Sequence, residues 1–391
     1  MRLMADRRGS QGPGWGSGRG RHQDAQMMPL PGAQRNQAPR TRTMPTRPPQ
    51  QPPQRPPRPP TQRGGQRPMP GGGRKRWGFR RVASLIAIVL VALLVAMWLY
   101  LEFSINRVDA LPDYEGKPAA AEGTNWLIVG SDSRAGLTPE QVKRLRSGDE
   151  SAASGQRTDT IMVAHLPDNG TKPTLVSFPR DSQVDIPGHG VNKINAAFSF
   201  GGPELMARTV EQATGLRIDH YAEIGFGGFA RIVDAVGGVE MNIPEKMVDT
   251  KTGVTIPKGK QELDGAQALG FVRMRHSSAT PRSDLDRVIN QRKFIGALAG
   301  ELSSPATFLN PFDVVPLLGA APDALTIDEG DHLHNVVGLG WAMRGISSGG
   351  TVTTTVPVTS GSATNWDPAK SEQLFNALRN DKPIPKDVIV N

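Results

Sequence analysis

Asn125-Trp126-Leu127-Ile128-Val129-Gly130-Ser131-Asp132-Ser133-Arg134 is the stretch that decides the fold. Four apolar residues in a row, closed by a glycine, read as a strand buried on both faces that ends in a turn. Downstream, Thr160 to His165 and Thr174 to Phe178 read as two further strands. The Asp168-Asn169-Gly170 turn between them predicts a hairpin. Glu204 to Thr214 is helical with Gly215 as its stop, and Phe226 to Val236 is a helix ended by Gly237-Gly238. Val239 to Ile243 alternates like a strand, Leu263 to Leu269 reads as a capped helix start, and Asp286 to Leu302 is the longest clear soluble helix. Leu325 to Asp328 and Val352 to Val358 supply further strands for the same sheet. Strands and helices alternate without strict βαβ order, so the expected class is α/β, a mixed central sheet flanked by helices.

Composition divides the chain. Residues 1–81 carry 18 Lys and Arg against Asp6 and Asp24, whereas the remainder carries 28 basic and 35 acidic residues. The basic charge belongs to a tail rich in Pro, Gly, Arg and Gln, which cannot bury enough apolar surface to order itself. Val82 to Leu101 is a run of twenty residues without a charge, about 30 Å long as a helix and therefore matched to a bilayer core. Arg74, Lys75, Arg76, Arg80 and Arg81 flank its N-terminal side. The positive-inside rule then puts the tail in the cytoplasm and the C-terminal part outside. The expected organisation is a disordered cytoplasmic tail over 1–81, one transmembrane helix over 82–101, a linker over 102–123 and an extracytoplasmic domain over 124–385.

The charged residues gather at predicted strand ends. Asp132 and Arg134 follow the first strand and Asp159 opens the second, so two carboxylates on adjacent strand ends could hold one hard cation such as Mg²⁺. Pro179 ends the third strand and delivers Arg180 and Asp181 to the same edge. Lys193 stands between apolar neighbours, as a phosphate contact or as a side chain reaching solvent. Arg273 and Arg275 are two apart and point the same way on an extended segment, while Arg287 and Gln291 share one face of a helix. Guanidinium groups on a strand edge and a helix face make a cradle for a forked dianion such as a diphosphate.

Other chemistries find no support. The chain has no cysteine, which removes thiolate nucleophiles and cysteine metal sites. It has no His-Glu-x-x-His pattern, no Gly-x-Ser-x-Gly elbow and no Gly-x-x-x-x-Gly-Lys-Ser/Thr loop. A nucleic-acid partner is not expected of a mildly acidic globular part. Phe198, Phe200, Phe226, Phe229, Ile232, Val233, Val236 and Phe294 suit either an ordinary core or a lipid-accepting cleft.

Together these residues resemble the LytR-CpsA-Psr family of cell-wall glycopolymer ligases. The resemblance is carried by Gly130-x-Asp132-x-Arg134, Arg157-x-Asp159, Ser177-Phe178-Pro179-Arg180-Asp181, Lys193-Ile194-Asn195, Val233-Asp234-Ala235-Val236-Gly237-Gly238-Val239, Leu263-Asp264-Gly265-x-x-Ala268-Leu269, Arg273-x-Arg275 and Asp284-x-x-Arg287-x-x-x-Gln291. It implies an α-β-α domain that transfers a glycan phosphate from a polyprenyl diphosphate carrier to peptidoglycan beside the cytoplasmic membrane. It also implies that Arg134, Arg180, Lys193, Arg273, Arg275, Arg287 and Gln291 hold the diphosphate, that Asp132 and Asp159 hold Mg²⁺, and that the prenyl chain lies in an apolar groove. Asp132, Asp159 or Asp181 would serve as base, with Arg180 and Arg275 stabilising charge. Where the family commonly carries Arg-Gln, this chain reads Asn290-Gln291, and Arg292 points about 100° away on a helix. Two other functions stay open: a carrier or sensor of polyprenyl diphosphate lipids without chemistry, which the same arginines would serve, and an envelope-related transcriptional regulator, suggested by the basic tail.

Overall fold

The computed structural model describes residues 78–133, 140, 143, 145, 158–249, 254–274, 277, 280, 284–304, 310–359 and 364–390. The tail expected over 1–81 lies almost wholly outside them.

Helix α1 spans Phe79–Ser104 and contains the apolar run, with none of its most hydrophobic window buried. A seven-stranded mixed sheet follows. Its strands are β1 (Asn106–Val108), β2 (Thr124–Ser131), β3 (Thr158–Leu166), β4 (Thr174–Phe178), β7 (His220–Gly225), β12 (Leu325–Asp328) and β13 (Val352–Thr355), ordered β1-β12-β7-β2-β3-β4-β13. The expected hairpin is present, since β3 and β4 pair antiparallel with Val163 opposite Val176. Both late segments join the sheet, β12 against β7 and β13 parallel to β4. Residues 106–108, expected within a linker, instead form the edge strand beside β12. Their signal is too short to read, because a three-residue strand shows no periodicity.

Apolar cover on both faces explains the unbroken apolar strands. On one face Leu127, Val129, Ile161, Val163, Val176 and Phe178 pack against helices α2 (Ile194–Thr214) and α8 (Pro368–Arg379). On the other, Trp126, Met162, Ala164 and Leu175 pack against α5 (Asp284–Leu302) and α7 (Leu333–Met343). A second apolar cluster joins α3 (Phe226–Ala235), β8 (Val239–Ile243), β11 (Gly259–Leu263), α4 (Gly265–Arg273) and α5. Helix α6 (Pro311–Ala324) packs on α3 and leads into β12. The remaining strands are two small pairs, β5 (Gln183–Ile186) with β6 (Gly190–Lys193), and β9 (Met247–Val248) with β10 (Thr255–Ile256).

Two helices differ from expectation. Helix α2 begins ten residues before Glu204, because Gly201 and Gly202 adopt non-helical angles ahead of Pro203 and join two helical pieces across a kink. Helix α4 runs through Arg273, so Arg273 does not lie on an extended segment. Asp264 and Gln267 cap it reciprocally, and no breaker intervenes before Met274 turns extended.

Candidate functional site

β2 runs parallel to β7 and antiparallel to β3, which runs antiparallel to β4. The C-terminal ends of β2, β4 and β7 and the N-terminal end of β3 therefore share one edge of the sheet. Asp132 follows β2, Asp159 is the second residue of β3, and Pro179-Arg180-Asp181 follows β4. Ser131 pairs with Thr158 across a bulge, so the segments bearing Asp132 and Asp159 are neighbours.

A chain of charge contacts crosses this edge. Arg180 Nη1 donates to Asp159 Oδ1 at 2.5 Å, Arg180 Nε lies 3.5 Å from Asp181 Oδ2, and Lys193 Nζ lies 2.8 Å from Asp181 Oδ1. Arg180, Asp159 and Asp181 are each about one quarter exposed and Lys193 about half, so the chain faces outward without being freely solvated. The turn that presents it is held from behind. Asn195 N donates to Arg180 O, Ile194 N to Ser182 O, and Trp366 Nε1 to Ser182 Oγ. Lys193 is the N-cap residue of α2, so its side chain leaves from the strand-to-helix junction.

Arg273 joins from the β7 side. Its guanidinium lies 4.4 Å above the Phe226 ring, a cation–π contact. Phe226 directly follows Gly225, the last residue of β7, and a Cβ on Gly225 would stand 3.1 Å from Ser133 O. That close approach favours glycine and draws the start of α3 against the turn after β2. Gln291 Nε2 donates to Val272 O at 3.1 Å, fastening α5 to the end of α4. Arg287, one turn before Gln291, is 2% exposed.

Asp132, Asp159, Arg180, Asp181, Lys193 and Arg273 thus lie along one edge, with Arg287 and Gln291 buried behind it. Arg134 and Arg275 lie outside the described residues, as does the side chain of Asp284. Among the described residues no three Asp, Glu or His side chains gather as a metal-binding group. A divalent ion at Asp132 and Asp159 would draw its other oxygens from ligand and water. The apolar set divides: Phe294 and Val233 belong to the buried core, whereas Phe200 is exposed and stacks on His189.

Sequence reasoning misses two roles and leaves that of Arg292 open. Phe226 as the platform for Arg273 and Trp366 as the prop behind Arg180 carry no local signal, since each acts across more than forty residues. Arg292 is 5% exposed with Nη1 lacking a hydrogen-bond partner among the described residues, and burial pulls its guanidinium down to about 10. Its i−4 and i+3 neighbours Val288 and Ile295 mark a buried helix stripe, which the sequence does show.

Comparison with known proteins gives the same outline. The model of the LytR_cpsA_psr family matches residues 103–381. The chain is 50% identical over 304 residues to the probable cell wall biosynthesis protein LcpB of Corynebacterium glutamicum, spanning 76% of this chain and 70% of that one. It is 36% identical over 260 residues to the polyisoprenyl-teichoic acid–peptidoglycan teichoic acid transferase TagU of Oceanobacillus iheyensis, spanning 63% and 76% of the two chains. The fold is similar to that of a LytR-Csp2A-Psr enzyme from Actinomyces oris, with a TM-score of 0.55 at 22% identity over 71% of this chain and 96% of the other. With a family model spanning most of its length and a relative sharing half of the aligned residues, the chain belongs to the LytR_cpsA_psr family.

Proposed function

We propose that this protein is a membrane-anchored phosphotransferase that moves a glycan phosphate from a polyprenyl diphosphate carrier onto a peptidoglycan hydroxyl. The observation that carries the reading is the contact chain Asp159–Arg180–Asp181–Lys193 at the sheet edge, beside Arg273 on Phe226. Kinship with TagU, whose name states such a transfer for teichoic acid, supports the reaction class.

In the proposed reaction the acceptor hydroxyl oxygen forms a bond to the glycan-bearing phosphorus. The phosphoanhydride bond breaks, and polyprenyl phosphate leaves with the electron pair. The hydroxyl proton passes to a carboxylate of the set Asp132, Asp159 and Asp181. Negative charge grows on the leaving phosphate, and fixed cations aimed at it lower the barrier. Arg180 and Lys193 are held at the edge by carboxylates that also fix their direction. Arg134, Arg273, Arg275 and Arg287 are the further cations assigned to the diphosphate, and Gln291 holds α5 in place against α4.

Asp132 and Asp159 fit Mg²⁺ by donor chemistry, being hard oxygen ligands on neighbouring strand ends. When bound, Mg²⁺ would neutralise charge on phosphate oxygens. The anchor is α1, with the N-terminal residues cytoplasmic and the domain outside, which keeps the site beside lipid-borne donor.

The direct test supplies a lipid diphosphate-linked glycan and peptidoglycan to the full chain and follows glycan phosphate joining the wall polymer. Retention of the lipid without transfer, in the presence of Mg²⁺, would leave only a carrier or sensor.

A further inference from the structure

The last turns of α1 do not lead into a free linker. Glu102 Oε1 accepts from Arg107 Nη2 at 2.8 Å and meets His332 Nδ1 at 2.7 Å, while Glu102 Oε2 accepts from Leu333 N at 2.9 Å. Leu333 opens α7 and His332 caps it, so Glu102 closes the N-terminus of that helix, where a carboxylate is favoured. Leu101, the last residue of the uncharged run, packs with Ile105, Ile327, Leu333 and Val336. The first turn of α7 therefore lies level with the end of the apolar span, and α6 also packs on α1.

From that level α7 carries an outward stripe that water does not suit. Val337 is 54% exposed and Trp341 59% exposed, four residues apart on one face. Helix α7 contains no Asp, Glu, Lys or Arg, and the next residue, Arg344, lays its guanidinium over the Trp341 ring. Phe103 at the end of α1 and Val315 on α6 are 81% and 66% exposed. A tryptophan with a stacked arginine beside an apolar stripe is the composition of a helix in the headgroup layer, the ring at the acyl boundary and the cation toward phosphate.

We propose that the outward face of α7, with Phe103, rests in the headgroup layer of the bilayer that α1 crosses, so that the domain is seated on the membrane at a fixed orientation. The inference rests on the reading of α1 as a membrane span. Its occupant is lipid because the exposed stripe continues from the exposed apolar surface of α1 itself, joined through Glu102 and Leu101.

The absence of cysteine makes the test clean. Single-cysteine variants V337C and W341C of the full chain, labelled with an environment-sensitive fluorophore, are reconstituted in phosphatidylcholine–phosphatidylglycerol vesicles. Lipids carrying a nitroxide near the headgroup serve as quencher. K370C, exposed on the opposite face of the sheet, is the water-facing control, and I88C within α1 reports insertion. The expected result is blue-shifted, quenched emission at positions 337 and 341 with none at 370. Unquenched emission at 337 and 341 while position 88 is quenched would overturn the seating and leave the anchor intact. Unquenched emission at 88 would remove the anchor and the seating together. A blue shift at 337 that needs no lipid and grows with protein concentration would assign the face to a second copy of the chain instead.

Discussion

Arg180 Nη1 donates to Asp159 Oδ1 at 2.5 Å, joining the turn after β4 to the first residues of β3. The pair links one of the two carboxylates assigned to metal with the arginine whose turn is propped by Trp366. Removing the guanidinium should therefore cost transfer in two ways, by loss of a phosphate contact and by release of Asp159. Arg180→Ala is expected to lower transfer by about a hundredfold or more, the usual effect of deleting a fixed donor to developing charge. Arg180→Lys keeps the charge but not the fork and should fall between. Equal melting temperatures for the three proteins would assign the losses to the site, and an Arg180→Ala enzyme as fast as wild type would remove Arg180 from the reaction.

The assignment of Mg²⁺ makes a separable prediction. Chelation of divalent ions should stop transfer by the wild type, and added Mg²⁺ should restore it. Asp132→Asn should need far more Mg²⁺ for half-maximal transfer while its ceiling is partly recovered at saturating ion. Metal-independent transfer by the wild type would leave Asp132 and Asp159 with acid–base or positioning roles only.

Much of this edge is legible in the chain, and the reasons differ by element. β2, β3 and β4 announce themselves because strands covered on both faces need continuous apolar residues, as in Trp126 to Val129. The site residues stand out because short polar strings interrupt those runs at their ends. β1 escapes because its three residues gain their pairing from β12, more than two hundred positions away. Arg273 reads as extended in the sequence, because spacing alone cannot tell a helix end from a strand. The capping box at Asp264 gives the start of α4 but not its length. The seat of Arg180 escapes for a third reason, since Trp366 reaches Ser182 only through the tertiary fold.

Arg292 separates stability from binding. Its buried guanidinium has Nη1 without a hydrogen-bond partner among the described residues, and burial alone accounts for its lowered proton affinity. Replacing such a buried cation by an apolar chain of similar length usually stabilises a fold. Arg292→Met should raise unfolding free energy by about 1 kcal/mol, read by denaturant titration. Transfer should change little if Arg292 lies behind the site. A loss of transfer as large as that of Arg287→Met would instead place Arg292 among the groups that hold the donor.

Asp381 shows how the far end of the chain is locked to the hairpin. It is 2% exposed at φ +52°, where a non-glycine residue is strained. One carboxylate oxygen meets His165 Nε2 at 2.8 Å, the other accepts from Asp168 N at 3.0 Å, and His165 Nδ1 meets Asn125 Oδ1 at 2.9 Å. Asp381→Ala breaks the buried contacts and keeps the strain, and should cost about 3 kcal/mol. Asp381→Asn tolerates the left-handed backbone and retains acceptor capacity, so its melting temperature should lie between the two. An alanine variant as stable as wild type would show that the network contributes nothing net.

Glu211 offers a test in pH. It is 1% exposed, and burial raises its carboxyl above the ordinary value near 4.5, more than Ile218 N–H and Tyr114 O–H lower it. Tyr114 is raised in turn, chiefly by its own burial and then by its bond to Glu211. A carboxyl whose affinity for protons is higher in the folded chain holds more protons there than in the unfolded chain. Stability therefore falls as pH rises from about 4.5 through the raised folded value, and the cost is fully present above it. Glu211→Gln cannot ionise, and its amide oxygen can still accept from Ile218 N while its amide nitrogen donates to Tyr114 Oη. The variant should equal or exceed wild type in stability at neutral pH, and the advantage should shrink as pH falls through the raised folded value toward 4.5. Unfolding titrations across that range decide it: an advantage that grows on acidification would mean that the carboxylate, not the acid, is the form the fold prefers.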